Sequence, residues 1–396
     1  MTRSRALVAL VAAASAVLPA VAAADTAPKK NWVYPAEAES SGFTPTGQKP
    51  ESKVWVADGA WWGLLVPPNG GGYRFYRLNS TSNVWEDQGL GGDDRIYTKA
   101  DVLFHQPSNK LYVASRDNST TKVNRLYRYS FANGSFKLDS GFPVKIPGGG
   151  KETLTIARDS QNRLWVGFES KNAVKLAYST DDGKVWSSAF TPNVPGASNL
   201  NSDDIAAVVS FGNSIGVMWS NQTDQKDYFA VHPDSSAPTS GWKGEVAYSG
   251  QAAADDHINL KATSNGTVFA AVKTSKKNSG DPLIVLLRRG PDGKWSAHTA
   301  FATDSKGTRP IALVDEATNR IHVAATLSDG HVRYKTSTNL GQPSFPSGTG
   351  TSLLSASGGE INDATSAKST SAPPSPGIVV LATQDASNSY YHAAIE

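Results

Sequence analysis

Seven consecutive residues, Asp255-Asp256-His257-Ile258-Asn259-Leu260-Lys261, bring together two carboxylates, an imidazole, an amide and an ammonium. On a β-strand, side chains alternate between faces, so Ile258 and Leu260 share one side while His257, Asn259 and Lys261 share the other. Polar groups left dry and unpaired cost about 1–3 kcal/mol each, against a total stability of about 5–15 kcal/mol for a domain. The three must therefore be hydrated, bound to a ligand, or tied into a hydrogen-bond network between neighbouring segments. In the ligand reading, His257 is a general base beside the carboxylate of Asp256, and Lys261 neutralises developing negative charge. Lys273 can join from the end of the next strand. A second acidic pair, Asp203-Asp204, adds Asp204 as a candidate acid or base.

The elements that must position these groups are legible as a repeat. An aromatic residue following a turn recurs at Trp85, Phe136, Trp186, Trp242, Trp295 and Phe345, at intervals of roughly 50 to 56 residues, the range of four-stranded propeller units. A second series, Trp61, Leu111, Leu164, Ile215, Val268, Ile321 and Ile378, opens apolar strands directly after turns and has seven members. Helical periodicity is nearly absent, and period-two strands are bounded by Gly, Asn, Asp and Pro clusters. These features predict an all-β protein, a seven-bladed β-propeller of four-stranded blades. In the third unit the strands are expected at Thr153–Arg158, Leu164–Glu169 and Val174–Ser179, with Trp186 opening the fourth. The last unit, from about Ile361 to Glu396, lacks its outermost strand. Asn31–Glu37, with Trp32 one period before Trp85, is positioned to supply it and close the ring.

In such a ring the first strand of each blade lines the central channel, and the loops entering it and leaving the second strand share one mouth. Read round the ring, those positions hold Asp204, Asp256, His257, Asn259, Lys261, Lys273, Arg309, Asn362 and Asp363, with Lys151 and Glu152 in the third unit. Trp219, Asn221 and Gln222 leave a second strand as an aromatic and two amides, suited to a sugar face and its hydroxyls or, for the tryptophan, to a β core. Arg309 can grip a carboxylate in bidentate fashion or pair with a neighbouring acid. His105 and His392 stand alone and read as ordinary core or rim histidines.

The sharpest turn is Tyr178–Trp186, in which Ser179, Asp181, Gly183 and Trp186 match the pattern S-x-D-x-G-x-x-W. This is the Asp box, and the chain resembles the sialidase-like, bacterial neuraminidase repeat β-propellers that carry it. The resemblance implies a propeller fold and a glycan ligand. It does not extend to the sialidase reaction, because Arg95 is not followed by the family's Ile-Pro and no Tyr-Glu partnership can be read from the spacing. Two reactions remain open at a glycan. A glycoside hydrolase requires a protonated acid and a second carboxylate about 5 to 9.5 Å apart, for which Asp203, Asp204, Asp255, Asp256, Glu152 and Asp363 are available. Elimination from a uronate requires a base and a carboxylate-neutralising group, for which His257 with Lys261 or Arg309 is available. A non-catalytic, lectin-like propeller, holding hydroxyls and a Ca²⁺ ion through oxygen ligands, is the third reading.

Met1–Ala24 reads as a signal peptide: Arg3 and Arg5 form the charged start, Ala6–Val21 the apolar run, and Ala22–Ala24 the cleavage site. Residues 25–30 read as a short linker, and 31–396 as one propeller domain. The expectation is a secreted monomer. A net charge of +3 without a basic run argues against nucleic acid, and no later stretch is long and apolar enough for membrane insertion. The absence of cysteine excludes disulfides and thiolate metal sites.

Overall fold

A computed structural model describes residues 29–33, 45–47, 49–95, 98–117, 123–148 and 152–396. The expected signal peptide, most of the linker and Lys151 lie outside them. Seven antiparallel sheets follow one another along the chain, and each innermost strand borders the next around a central channel. The protein is a seven-bladed β-propeller. Its inner strands are Val54–Ala57, Thr98–His105, Thr155–Arg158, Ala206–Phe211, Ile258–Ala262, Thr308–Asp315 and Ile361–Thr365, for blades 1 to 7.

Every residue of the second aromatic and aliphatic series falls in the second strand of its blade, from Trp61 in Ala60–Leu65 to Ile378 in Ile378–Gln384. These strands are covered on both faces by neighbouring blades, so their sequences are continuous apolar runs. Val268–Val272, for example, is buried throughout. Apolar clusters occupy the seams: Trp165 of blade 3 packs with Val217 and Trp219 of blade 4, and Phe269 and Leu286 of blade 5 with Val314 and Val323 of blade 6. Each large buried side chain contributes about 1.5–3 kcal/mol, and in a chain without disulfides these seams hold the ring.

Ring closure comes from pairing two distant parts of the chain. Lys29–Val33 adds to Ser389–Ile395, with Lys30 opposite Tyr391 and Val33 opposite Ser389, so the closing strand begins inside the segment read as linker and two residues before the expected start. Trp32 fixes it. Its indole stacks on Tyr76 of blade 1 at 4.6 Å, meets Tyr390 edge-on, and donates to the Val66 carbonyl at 2.8 Å. His392 joins the same seam, its two ring nitrogens on the amide oxygens of Asn31 and Asn83.

Blade 3 departs from expectation. Trp186 does not open a fourth strand; beyond Ala173–Ser179 the chain makes only isolated bridges, Leu176 to Phe190 and Ala173 to Ser198. The turn itself forms as its residues dictate. Ser179 Oγ accepts the Gly183 amide at 2.9 Å, Asp181 accepts the Val185 amide at 2.9 Å, and the Trp186 indole closes on the Gly183 carbonyl. Gly183 sits at φ +91°, where a side chain is disfavoured.

Candidate functional site

The loops entering the inner strands converge on one mouth, and a segment outside the propeller repeat runs into it. Residues 49–53, just before the inner strand of blade 1, cross the channel and are buried. The Glu51 carboxylate accepts from the Leu154 amide of blade 3. Ser52 N–H donates to Asp101 of blade 2 at 2.9 Å, and Lys53 N–H donates to Thr365 of blade 7 at 3.2 Å. Lys49, held at φ +56°, sends its ammonium between two carboxylates, Glu152 of blade 3 at 3.1 Å and Asp256 of blade 5.

Around this bridge stands the stretch singled out by residue type. His257 Nδ1 lies 2.7 Å from Asp255 and 2.6 Å from Asp256. Asp255 is itself held by Lys273 Nζ at 2.9 Å and by the Ser275 hydroxyl at 3.0 Å. With Nδ1 engaged by carboxylates, Nε2 faces the neighbouring blade, 3.4 Å from the Thr308 hydroxyl. Burial opposes the charge on Asp256, yet hydrogen bonds from His257 and the charges of His257 and Lys49 hold its carboxyl far below the usual range. Asp203, near the same group, moves the other way: partial burial, then the charge of Asp256, raises it.

Blades 6 and 7 add a pair built by matching irregularities. The inner strand of blade 6 breaks register between Thr308 and Ile311, and that of blade 7 between Asn362 and Thr365. At these breaks Arg309 and Asp363 adopt φ +51° and +53°, and their side chains meet at 3.0 Å. Left-handed backbone at a non-glycine residue costs about 1–3 kcal/mol and collects where geometry is needed for function. Lys49, Arg309 and Asp363 all meet that description at one mouth.

The structure thus brings together Asp256, His257, Lys273, Arg309 and Asp363. It separates the other candidates. Lys261 shares the face of His257 but lies four residues further along the strand, about 13 Å down the channel, and donates to the Ala367 carbonyl at 2.7 Å; alternation specifies a face, not a depth. Asn259 is a tie between segments, donating to the Lys49 carbonyl at 3.1 Å and accepting the Ala312 amide at 3.2 Å. Asp204 clamps two mouth loops by accepting from the Asn201 and Gln222 amides and the Gln222 side chain. Trp219 is fully buried, stacked on Tyr228 at 5.5 Å, and both its indole and the Asn221 amide donate to the Gly196 carbonyl; none of this trio presents a platform to a sugar. Asn362 accepts from Thr326 at 3.1 Å. Arg95 is engaged by Asp93 and Asp117.

Two residues of the site escaped the sequence reading, Lys49 and Thr308. Lys49-Pro50-Glu51-Ser52-Lys53 immediately precedes an inner strand, which marks a place at the mouth but not the distant partners of Lys49. A fully buried carboxyl behind the site, Asp227, is pushed well up by burial and then by the charges of Asp204 and Asp255. Asp255, Asp256 and His257 place ligand atoms within 4.8 Å of one another, the spacing of a metal site. Lys273 and Lys49 already neutralise those carboxylates, so a Ca²⁺ ion there would have to displace two ammonium groups.

No protein-family model matches the chain, and no curated protein matches it. Among solved structures it superposes on a PL25 polysaccharide lyase, an ulvan lyase, with TM-score 0.52 and 11% identity over 88% of this chain and 93% of that one. A PL25 ulvan lyase bound to -[GlcA(1-4)Rha3S]- gives TM-score 0.51 at the same identity and coverage. An α-L-arabinanase of Penicillium chrysogenum with arabinobiose gives 0.46 and 13% identity, over 75% of this chain and 92% of that one. At these identities the likeness is one of fold.

Proposed function

We propose that this propeller is a carbohydrate-active enzyme that takes an acidic glycan at the mouth and cleaves it by elimination. The observation that carries the reading is the setting of His257: Nδ1 lies against two carboxylates, and Nε2 is left facing the residue that precedes Arg309. An imidazole held so, with Nδ1 on the carboxylates, turns Nε2 toward the proton next to a uronate carboxylate. Arg309, with more than a quarter of its side chain exposed, is placed to draw charge from that carboxylate. The proton passes to Nε2, the electron pair forms the new C=C bond, and the glycosidic oxygen leaves and takes a proton, for which Asp203 is the nearby raised carboxyl. The uronate of the sugar held by the ulvan lyase of like fold is a substrate class consistent with these groups. On this reading the enzyme works outside the cell, as the leader sequence implies.

One observation favours a second reading. The Asp203 carboxyl is raised while that of Asp256 is lowered, and two carboxylates pushed apart in this way make an acid and a base for hydrolysis. The discriminating experiment incubates the wild type, His257→Ala and Asp203→Asn with a panel of uronate polysaccharides, following ultraviolet absorbance of unsaturated ends and total reducing ends. Unsaturated ends lost in His257→Ala support elimination. Reducing ends without unsaturation, lost in Asp203→Asn, replace it by hydrolysis. Retention on a glycan array with no turnover replaces both by a lectin.

A further inference from the structure

The channel has a second mouth whose chemistry is unlike the first. A cavity of about 180 Å³ opens there, walled by Leu103, Ile156, Val208 and Leu260. It shares Leu103, Lys368 and Ser369 with an adjoining cavity of about 250 Å³. Three cations line the first of these, and two are neutralised: Arg158 by Asp182 at 3.1 Å and Lys368 by Asp101 at 2.6 Å. Lys261 is not. Only 4% exposed, it reaches from blade 5 past blade 6 to the Ala367 carbonyl of blade 7, and no carboxylate lies within ion-pairing distance of it among the described residues. A buried charge without a partner costs several kcal/mol.

We propose that this far mouth is a second ligand site, for a small amphiphilic monoanion: a carboxylate held by Lys261 beside the pair of Lys368 with Asp101, and a short apolar body against Leu103, Val208 and Leu260. The ligand supplies the missing counter-charge, and its body covers Leu103 and Leu260, which stand partly exposed at the rim. Burial, with the charge of Lys368 second and opposed by Asp101, lowers the Lys261 ammonium to about 7. A bound anion favours the protonated amine, so binding above neutral pH takes up a proton.

The test is calorimetric titration of the full chain with sodium octanoate at pH 6.5 and 8.5, with octanol and octylamine as the neutral and cationic counterparts. Octanoate is expected to bind, at least tenfold more tightly than octanol, with octylamine silent and with proton uptake at pH 8.5. Lys261→Met, which keeps the length of the side chain, is expected to weaken octanoate at least tenfold. In the unaltered protein, octanoate and not octylamine is expected to protect Lys261 from an amine-acylating reagent, read by mass spectrometry. Equal affinity for octanol, undiminished binding by Lys261→Met, absence of protection, or no binding at millimolar octanoate would each overturn the proposal.

Discussion

The two ends of one channel use the same strand for opposite purposes. At the upper mouth, His257 stands among carboxylates that are themselves matched by Lys49 and Lys273; charge is dense and balanced. At the lower mouth, Lys261 donates to one carbonyl among aliphatic side chains, beside Arg158 and Lys368, which have carboxylate partners of their own; charge is unbalanced there. Between them, Asn259 joins segments and Asp101 receives N–H groups from Ser52 and Ile156 as well as the Lys368 ammonium. Proximity of like residue types in sequence says little about shared work, because four residues along an inner strand span about 13 Å.

The largest effect expected from breaking this contrast is on the upper end. His257→Ala should lower kcat about 10²- to 10⁴-fold with little change in melting temperature. At mid-channel, Asp101→Ala strands two backbone donors and a lysine, and should destabilise the fold by about 3–5 kcal/mol, measured by urea unfolding. Arg309→Gly removes a cation but also relieves a left-handed backbone. Because the cation removed is a partner of the buried Asp363, the two effects oppose each other and the variant's loss of stability should be smaller than that of Asp101→Ala, while KM for a uronate substrate rises more than for a neutral one; an equal rise for both would remove Arg309 from carboxylate recognition.

The smallest effect sharpens the lower end. Burial lowers Lys261 and Lys99 to about 7 and Lys53 to about 8, from an ordinary 10.5. Below those values both folded and unfolded chains carry the protons. Between them and 10.5 the unfolded chain binds more, so the three lysines make stability rise with pH through that window. Lys261→Met should flatten the rise, seen as a smaller gain in melting temperature from pH 7 to 9.

How much of this was legible follows the range of the interactions involved. The blade count was readable because each blade repeats its own local turn and apolar strand, as at Trp61, Leu164 and Ile321. Trp32 was readable as the missing edge because its spacing continued the series. Asp256 and His257 were readable because three ionisable residues before an inner strand are hard to bury idle. Lys49 was not, since its partners lie 103 and 207 residues away and only the crossing of the channel brings them near. Trp219 was ambiguous for a different reason: an aromatic at a strand's end serves a core or a sugar equally well, and the stacking on Tyr228 decides it. The fourth strand of blade 3 failed because a well-formed turn does not oblige the chain beyond it to pair.

The segment that crosses the channel has a bearing on how the molecule comes into being. Lys49 is synthesised long before Asp256, and its ammonium has no dry, anionic berth until the later wedge arrives. The charge arrangement of the upper mouth is thus completed only when blades 3 and 5 have both joined a segment made before either of them.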